Sequence, residues 1–326
     1  MPKSFDFTDI KKLISSARLT SYQSAFKVND NAELLGIYNW NLELTGALNS
    51  LLQLVEVALR NAINEAGKRN IVTAAGEHWF EKVPSNLVED DSGALLADGS
   101  KPMIIAPQTS DFKKGLAKAK KSAQKILEKK LGATTTAVPT LDQIISQTDF
   151  CVWEYILDKS FYDGDATKNF LWPKGFLIAF KKLPTVTGKN KQFQQRDIIR
   201  RRIETVRMLR NRVAHNEPIW KDADSDNIAD IIQKLQEKIN VILELTFWIS
   251  PALNNFIKNS SIKHRLDMML CEHEIKNALY RNVALDISDI DTLNQTLTNS
   301  KSSTTRVLIK SDGIDGILFS KKNRFN

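Results

Sequence analysis

Only 4 histidines occur in the 326 residues, and one of them stands in a run whose residue types suit phosphodiester chemistry: Arg207-Met-Leu-Arg210-Asn211-Arg212-Val-Ala-His215-Asn-Glu217-Pro218. Residues four apart lie on one face of a helix, which aligns Arg207, Asn211 and His215. Arg210 is five residues before His215, about 140° around a straight helix. Its long side chain can swing toward the ring, or the two can meet across a helix pair. A histidine in the last turn before a proline is suited to general acid–base work near neutral pH. Arg210 can clamp a phosphate through two parallel donors and stabilise charge developing on it. Asn211 can orient the ring or contact the phosphate. Glu217 is a weaker candidate, either for orienting His215 or for capping a following turn. The bland alternative is that Arg210 and Asn211 satisfy a helix end and His215 packs in the core.

RNA carries its own nucleophile, the 2′-hydroxyl. A histidine and an arginine therefore suffice for transesterification to a 2′,3′-cyclic phosphate, with no metal and no cofactor. DNA would need a metal or a protein nucleophile, and the chain has no carboxylate cluster, His-x-His pair or Gly-rich phosphate loop for those routes. His78, His264 and His273 have no partner at ligand spacing and read as ordinary surface or core residues.

The net charge of +8 is unevenly placed. Residues 181–212 hold 11 Lys or Arg against Asp197 and Glu204, and residues 113–130 hold 8 Lys against Glu128, so the remainder is acidic. Two basic segments on an acidic body attract a polyanion. Arg200, Arg201, Arg207, Arg212, Lys120 and Lys121 are the expected RNA contacts, and Trp220 is the aromatic placed to stack on a base. The aromatics Trp153, Tyr155, Phe161, Tyr162, Phe170, Trp172, Phe176 and Phe180 read instead as core. The 2 cysteines, Cys151 and Cys271, lack CxxC spacing, which argues against a disulfide framework or a zinc site and fits a reducing, cytoplasmic setting. Charges near Met1 disfavour a signal peptide. No apolar stretch is expected to reach the roughly 20 residues of a membrane span.

The elements that must position these residues read as helices, an all-α class. They cover Asp9–Ala17, a stretch from Tyr22, a long apolar-periodic stretch over about 31–66, a basic helix capped by Asp111 and ending at Leu131, Leu141 to about Leu157 capped by Thr140, 196–216, Asp226–Ile249, and 254–277. Gly36 and Gly46 are possible interruptions of the long stretch, and Gly67 its stop. Ser85–Gly99 reads as a loop or hairpin, and Thr185–Gln195 as a polar loop. Two short strands flank Asp312-Gly313.

The run Arg210-Asn-Arg-Val-Ala-His215-Asn-Glu-Pro-Ile-Trp220 resembles the Arg-Asn-x-x-x-His signature of the HEPN superfamily, in particular its Abi-like (abortive infection) proteins. Tyr38-Asn-Trp40-Asn41 followed by Leu54-Val-Glu56-Val-Ala-Leu-Arg60-Asn61-Ala-Ile63 is similar to an earlier helix of that group. The likeness covers roughly residues 10–250. It implies an α-helical HEPN-like bundle; the helical domain expected over 1–280 also carries an inserted loop at about 84–110 and the basic helix 111–131, and is followed by a tail over 281–326 with a possible small hairpin, three segments without a counterpart in that group. It implies a metal-independent endoribonuclease acting in phage defence or as a toxin, with Arg210 and His215 as the catalytic pair and Asn211 between them. It also implies a homodimer that joins two motifs, and an RNA or protein antitoxin. Glu56 and Arg60 are weak site candidates, more readily read as a helix ion pair. The competing reading is a non-catalytic module that holds a regulatory or guide RNA.

Overall fold

The computed structural model describes residues 7–93, 95–165, 167–221, 227–301 and 305–319. The chain is mostly helical, as its periodicity requires. In order the elements are α1 (Thr8–Ile14), α2 (Ser16–Phe26), α3 (Asn31–Asn70), α4 (Trp79–Lys82), β1 (Leu87–Glu89), β2 (Met103–Ile105), α5 (Pro107–Leu131), α6 (Leu141–Ser146), α7 (Phe150–Tyr155), α8 (Phe176–Ala179), α9 (Lys191–Ala214), α10 (Ile228–Ile249), α11 (Pro251–Lys258), α12 (Ser261–Met269), α13 (Glu272–Ala278), β3 (Leu285–Asp286), α14 (Ile290–Lys301), β4 (Val307–Ser311) and β5 (Ile314–Leu318). Two units emerge: Met1–Gln53, Leu209–Leu243 and Asn254–Asn326 form the first, and Leu54–Met208 with Glu244–Leu253 the second. The helices α3, α9 and α10 each contribute residues to both.

In the first unit, Leu34, Ile37, Trp40, Leu44, Leu48 and Leu51 of α3 are buried at helical spacing. Each such side chain contributes roughly 1.5–3 kcal/mol. Trp40 satisfies its indole N–H on the Met269 carbonyl at 3.0 Å. Glu33 is buried and takes two donors from Arg281, at 2.9 and 2.8 Å, so its carboxyl is held down at about 2. A small sheet has the order β3-β4-β5, with β3 parallel and β5 antiparallel to β4. The expected hairpin is present: Asp312 (φ 48°) and Gly313 (φ 80°) turn between β4 and β5, the two positive φ values that match strand twist.

The second unit is built on aromatics. Trp153, Phe161, Phe170, Trp172, Phe176 and Phe180 are buried, whereas Tyr155 and Tyr162 are half-buried. The helix α5 lays Phe112, Leu116, Ala119, Ala123 and Leu127 inward. Its Gly115 has Val152 of α7 where a Cβ would meet Cγ2 at 2.6 Å, so the two helices approach closely. The hairpin β1–β2 pairs Leu87 with Ile105 and Glu89 with Met103, extending the expected loop.

Several boundaries differ from the sequence expectation. The basic helix starts at Pro107, in the first turn where its missing N–H costs nothing, and not at an Asp111 cap. Thr140 does cap α6, in a capping box with Gln143, but 141–157 is two helices. Between them the Thr148 hydroxyl donates to the Ile145 carbonyl and accepts from Trp153 Nε1. The helix carrying the Arg-Asn-His run begins at Lys191, inside the expected loop, and ends at Ala214. The 254–277 stretch is three helices, and the expected start at Asp226 lies outside the described residues. The long α3 is apolar and long enough, by composition, to cross a membrane, contrary to the expectation that no stretch would be. Much of its apolar surface is instead buried within the protein.

The glycines of α3 do not break or stop it. A Cβ at Gly36 would lie 1.9 Å from the Ala278 carbonyl oxygen, and one at Gly67 would lie 2.2 Å from the Trp79 ring. Both are close-approach positions. Trp79 is held in place by its N–H bond to Asn64 at 2.8 Å. Gly67→Ala should therefore lower stability by roughly 1–3 kcal/mol, despite alanine's helix preference of about 1 kcal/mol. Gly46→Ala, with nothing within 4 Å of its Cβ, should raise stability. Urea midpoints at unchanged slope measure both; equal behaviour of the two variants would refute the packing role of Gly67.

Candidate active site at the end of α9

Arg210, Asn211 and His215 all belong to the first unit. Arg210 and Asn211 are half-buried in the last turn and a half of α9, and His215 comes directly after Ala214. Its N–H still donates to the Asn211 carbonyl at 2.9 Å, so it sits at the helix's closing position. His215 is exposed and its ring makes no hydrogen bond among the described residues. The core-packed reading of this histidine is thereby excluded.

The residues on the C-terminal side of His215 account for its display. Asn216 has φ 53°, in the left-handed region that short amide side chains tolerate. Its N–H donates to the Val213 carbonyl at 3.1 Å, and the Glu217 N–H donates to the Arg212 carbonyl at 2.9 Å. These two bonds close the helix in a Schellman motif. Pro218 then prevents continuation. The contact that accompanies such a motif, usually apolar, is here an ion pair, Arg212 Nε to Glu217 Oε2 at 3.6 Å. Glu217 is thus engaged with Arg212.

Three cations hold the carbonyls of this loop. Arg18 of α2 donates to the Asn216 carbonyl at 2.7 Å. Arg212 donates to the carbonyls of Pro218 (3.3 Å) and Lys221 (2.9 Å). Lys238 of α10 donates to the Ile219 carbonyl at 2.6 Å. Trp220 anchors the far end. It is 3% exposed, edge-on to Tyr22 and Phe26 with centroids 5.0 Å away in each case. Trp220 is therefore core and no stacking surface, and the half-buried Arg212 straps the loop with its guanidinium. In the sequence Arg18 and Lys238 carry no signal, and Asn216 reads only as the end of the helix. An asparagine between a helix and a proline is a stop signal that could have exposed Asn216; nothing local links Arg18 to a loop 198 residues away.

The second unit accounts for most of the other arginines. Glu154 of α7 is buried, and Arg207 Nε lies 2.6 Å from its Oε2 while an Arg200 nitrogen lies 3.5 Å from its Oε1. Arg200 also pairs with Asp197 and Glu204. Arg202 pairs with Glu244 at 2.5 Å, and Arg196 is buried on the Leu157 carbonyl. Arg207 and Arg200, both half-buried, are therefore committed to a buried carboxylate. Arg201 is exposed but bound to Asp197 at 2.8 Å. Lys120 reaches Glu81 at 2.8 Å, while Lys121 is exposed. Glu56 and Arg60 are half-buried on α3 in this unit, and Arg60 Nε is enclosed without a hydrogen-bond partner among the described residues.

The His215 surface is open. The cavity of about 560 Å³ lined by Lys11, Ser15, Ser16, Thr20 and Asn31 contains none of the motif residues. Among the described residues no group of three His, Cys, Asp or Glu is placed to hold a metal ion. Comparison with family models, curated proteins and solved structures finds no match.

Proposed function

We propose that this protein is a metal-independent endoribonuclease of the HEPN, Abi-like kind, acting in phage defence or as a toxin in the cytoplasm. The observation that carries the reading is an exposed His215 at a helix terminus, on a loop tied down by Arg18, Arg212 and Lys238, with Arg210 and Asn211 one turn behind it. A solvent-facing imidazole on a backbone held in place can take the proton of the 2′-hydroxyl or give one to the leaving 5′-oxygen. Arg210 stabilises the charge that develops on the phosphate. Asn211 orients substrate or ring. A second copy of the chain would supply the second acid–base group, as the resemblance implies for a homodimer, and an RNA or protein antitoxin would restrain the activity.

The test is wild type and His215→Ala incubated in EDTA with total cellular RNA and with tRNA. Cleavage by wild type alone supports the reading. Intact RNA in both reactions, with RNA retained by both proteins, supports the non-catalytic binding module.

A further inference from the structure

The helix α5 carries a single-sign stripe that folding does not need. Lys114, Lys118, Lys121, Lys125 and Lys129 succeed one another at steps of three or four residues and are all exposed. At 100° per residue they fall within an arc of about 80°, and they extend over about 22 Å of helix. The arc is opposite Phe112, Leu116, Ala119, Ala123 and Leu127, which are in the core. Lys114 lies 3.6 Å from Asp111 and Lys118 lies 2.9 Å from Asp149. Lys121, Lys125 and Lys129 have no ion pair among the described residues, and Glu128 is the one carboxylate of α5 bordering the stripe's far end.

Like charges one turn apart destabilise a helix by about 0.2–0.5 kcal/mol per pair. A merely solvated face would be more stable with alternating signs. The sequence keeps four such pairs in a row; Asp111 and Asp149 offset the charge at Lys114 and Lys118, while the repulsion along Lys121, Lys125 and Lys129 is of the kind a bound polyanion relieves. We infer that this stripe of α5 is a nucleic-acid-docking surface that tracks a sugar–phosphate backbone.

The competing partners fit less well. A membrane-surface helix inserts its apolar face into lipid, but that face of α5 is already spent, with Gly115 closed against Val152. An acidic protein would need an apolar centre to its interface, and no apolar side chain lies among the five lysines. A phosphate backbone asks only for point charges at regular intervals and carries no sequence requirement. Lys120 points about 100° beyond the edge of the stripe, toward Glu81, so it is not part of the surface. The inference does not rest on the chemistry at His215.

The experiment is binding of labelled oligo(dT) by the full chain, measured by fluorescence anisotropy against salt. This probe lacks the 2′-hydroxyl and resists the proposed cleavage, so failure here and failure of the nuclease reading are separate results. The comparison is K114Q/K118Q/K121Q/K125Q/K129Q, with its Lys→Arg counterpart and circular dichroism to verify the fold. The glutamine variant should bind at least tenfold more weakly at low salt. Its slope of log K against log salt should be shallower by about 3.5, at roughly 0.7 per lost phosphate contact. The arginine variant should keep the slope. An unchanged slope in the glutamine variant, no binding by wild type at low salt, or equally tight binding to polyglutamate or to vesicles rich in anionic phospholipid would overturn the inference.

Discussion

His215→Ala should slow RNA cleavage by at least about 10²-fold, the usual contribution of a positioned general acid or base. Stability should stay unchanged, because the exposed ring makes no hydrogen bond among the described residues. The backbone that shapes the loop uses the amides of His215, Asn216 and Glu217, which alanine at 215 retains. The substrate should show the same chemistry from its side. An RNA carrying a single 2′-deoxy nucleotide at the cleaved position should survive in EDTA, and the normal 5′ fragment should end in a 2′,3′-cyclic phosphate. Single-turnover rates on a short RNA, with and without the 2′-hydroxyl, give both numbers. If His215→Ala cuts as fast as wild type, or if cleavage requires a divalent ion, another group does the chemistry and the Arg-Asn-His run is only a helix terminus.

Arg207→Met should cost about 3–5 kcal/mol of stability, the penalty for leaving a buried carboxylate without its main partner. Glu154 is 5% exposed, and its shortest ion pair is the 2.6 Å contact with Arg207; Arg200, at 3.5 Å, is also shared with Asp197 and Glu204. Adding Glu154→Met to Arg207→Met should recover much of the loss, because replacing both members of a buried pair with apolar groups is often neutral. Urea unfolding of the two single variants and the double variant closes the cycle. The opposite outcome is equally informative. A stable Arg207→Met protein with weakened RNA affinity would restore Arg207 to the RNA-contacting row that its sequence neighbourhood suggests.

The two basic segments look alike as sequence and differ as structure. Counting charge treats every arginine from 181 to 212 as available, yet Arg196, Arg200, Arg202, Arg207 and Arg212 are turned to carbonyls and carboxylates of their own unit. Glu154 is 53 residues from Arg207, Glu244 42 from Arg202 and Lys221 9 from Arg212, so no helix spacing announces these three contacts. The α5 lysines, by contrast, remain at the surface, because their own helix shows the alternation of an apolar and a charged face.

Periodicity by itself determined that the chain is helical, that α3 is long, that Thr140 begins a helix and that Asp312-Gly313 turns a hairpin. Each depends on spacing or on one residue's backbone preference, and both are local. Arg210, Asn211 and His215 are also legible as a candidate site without the fold, from their residue types, their spacing and the likeness to the HEPN signature. Tertiary structure decided everything set by a distant partner. Gly36 and Gly67 continue α3 because the Ala278 carbonyl and the Trp79 ring occupy the space a Cβ would need. Trp220 is core because Tyr22 and Phe26 reach it from α2. His215 is held out to solvent because Asn216 closes the helix and cations from α2, α9 and α10 fix the loop behind it. A side chain's neighbours along the chain limit its conformation, but its burial and its charge partner depend on segments that only folding brings together.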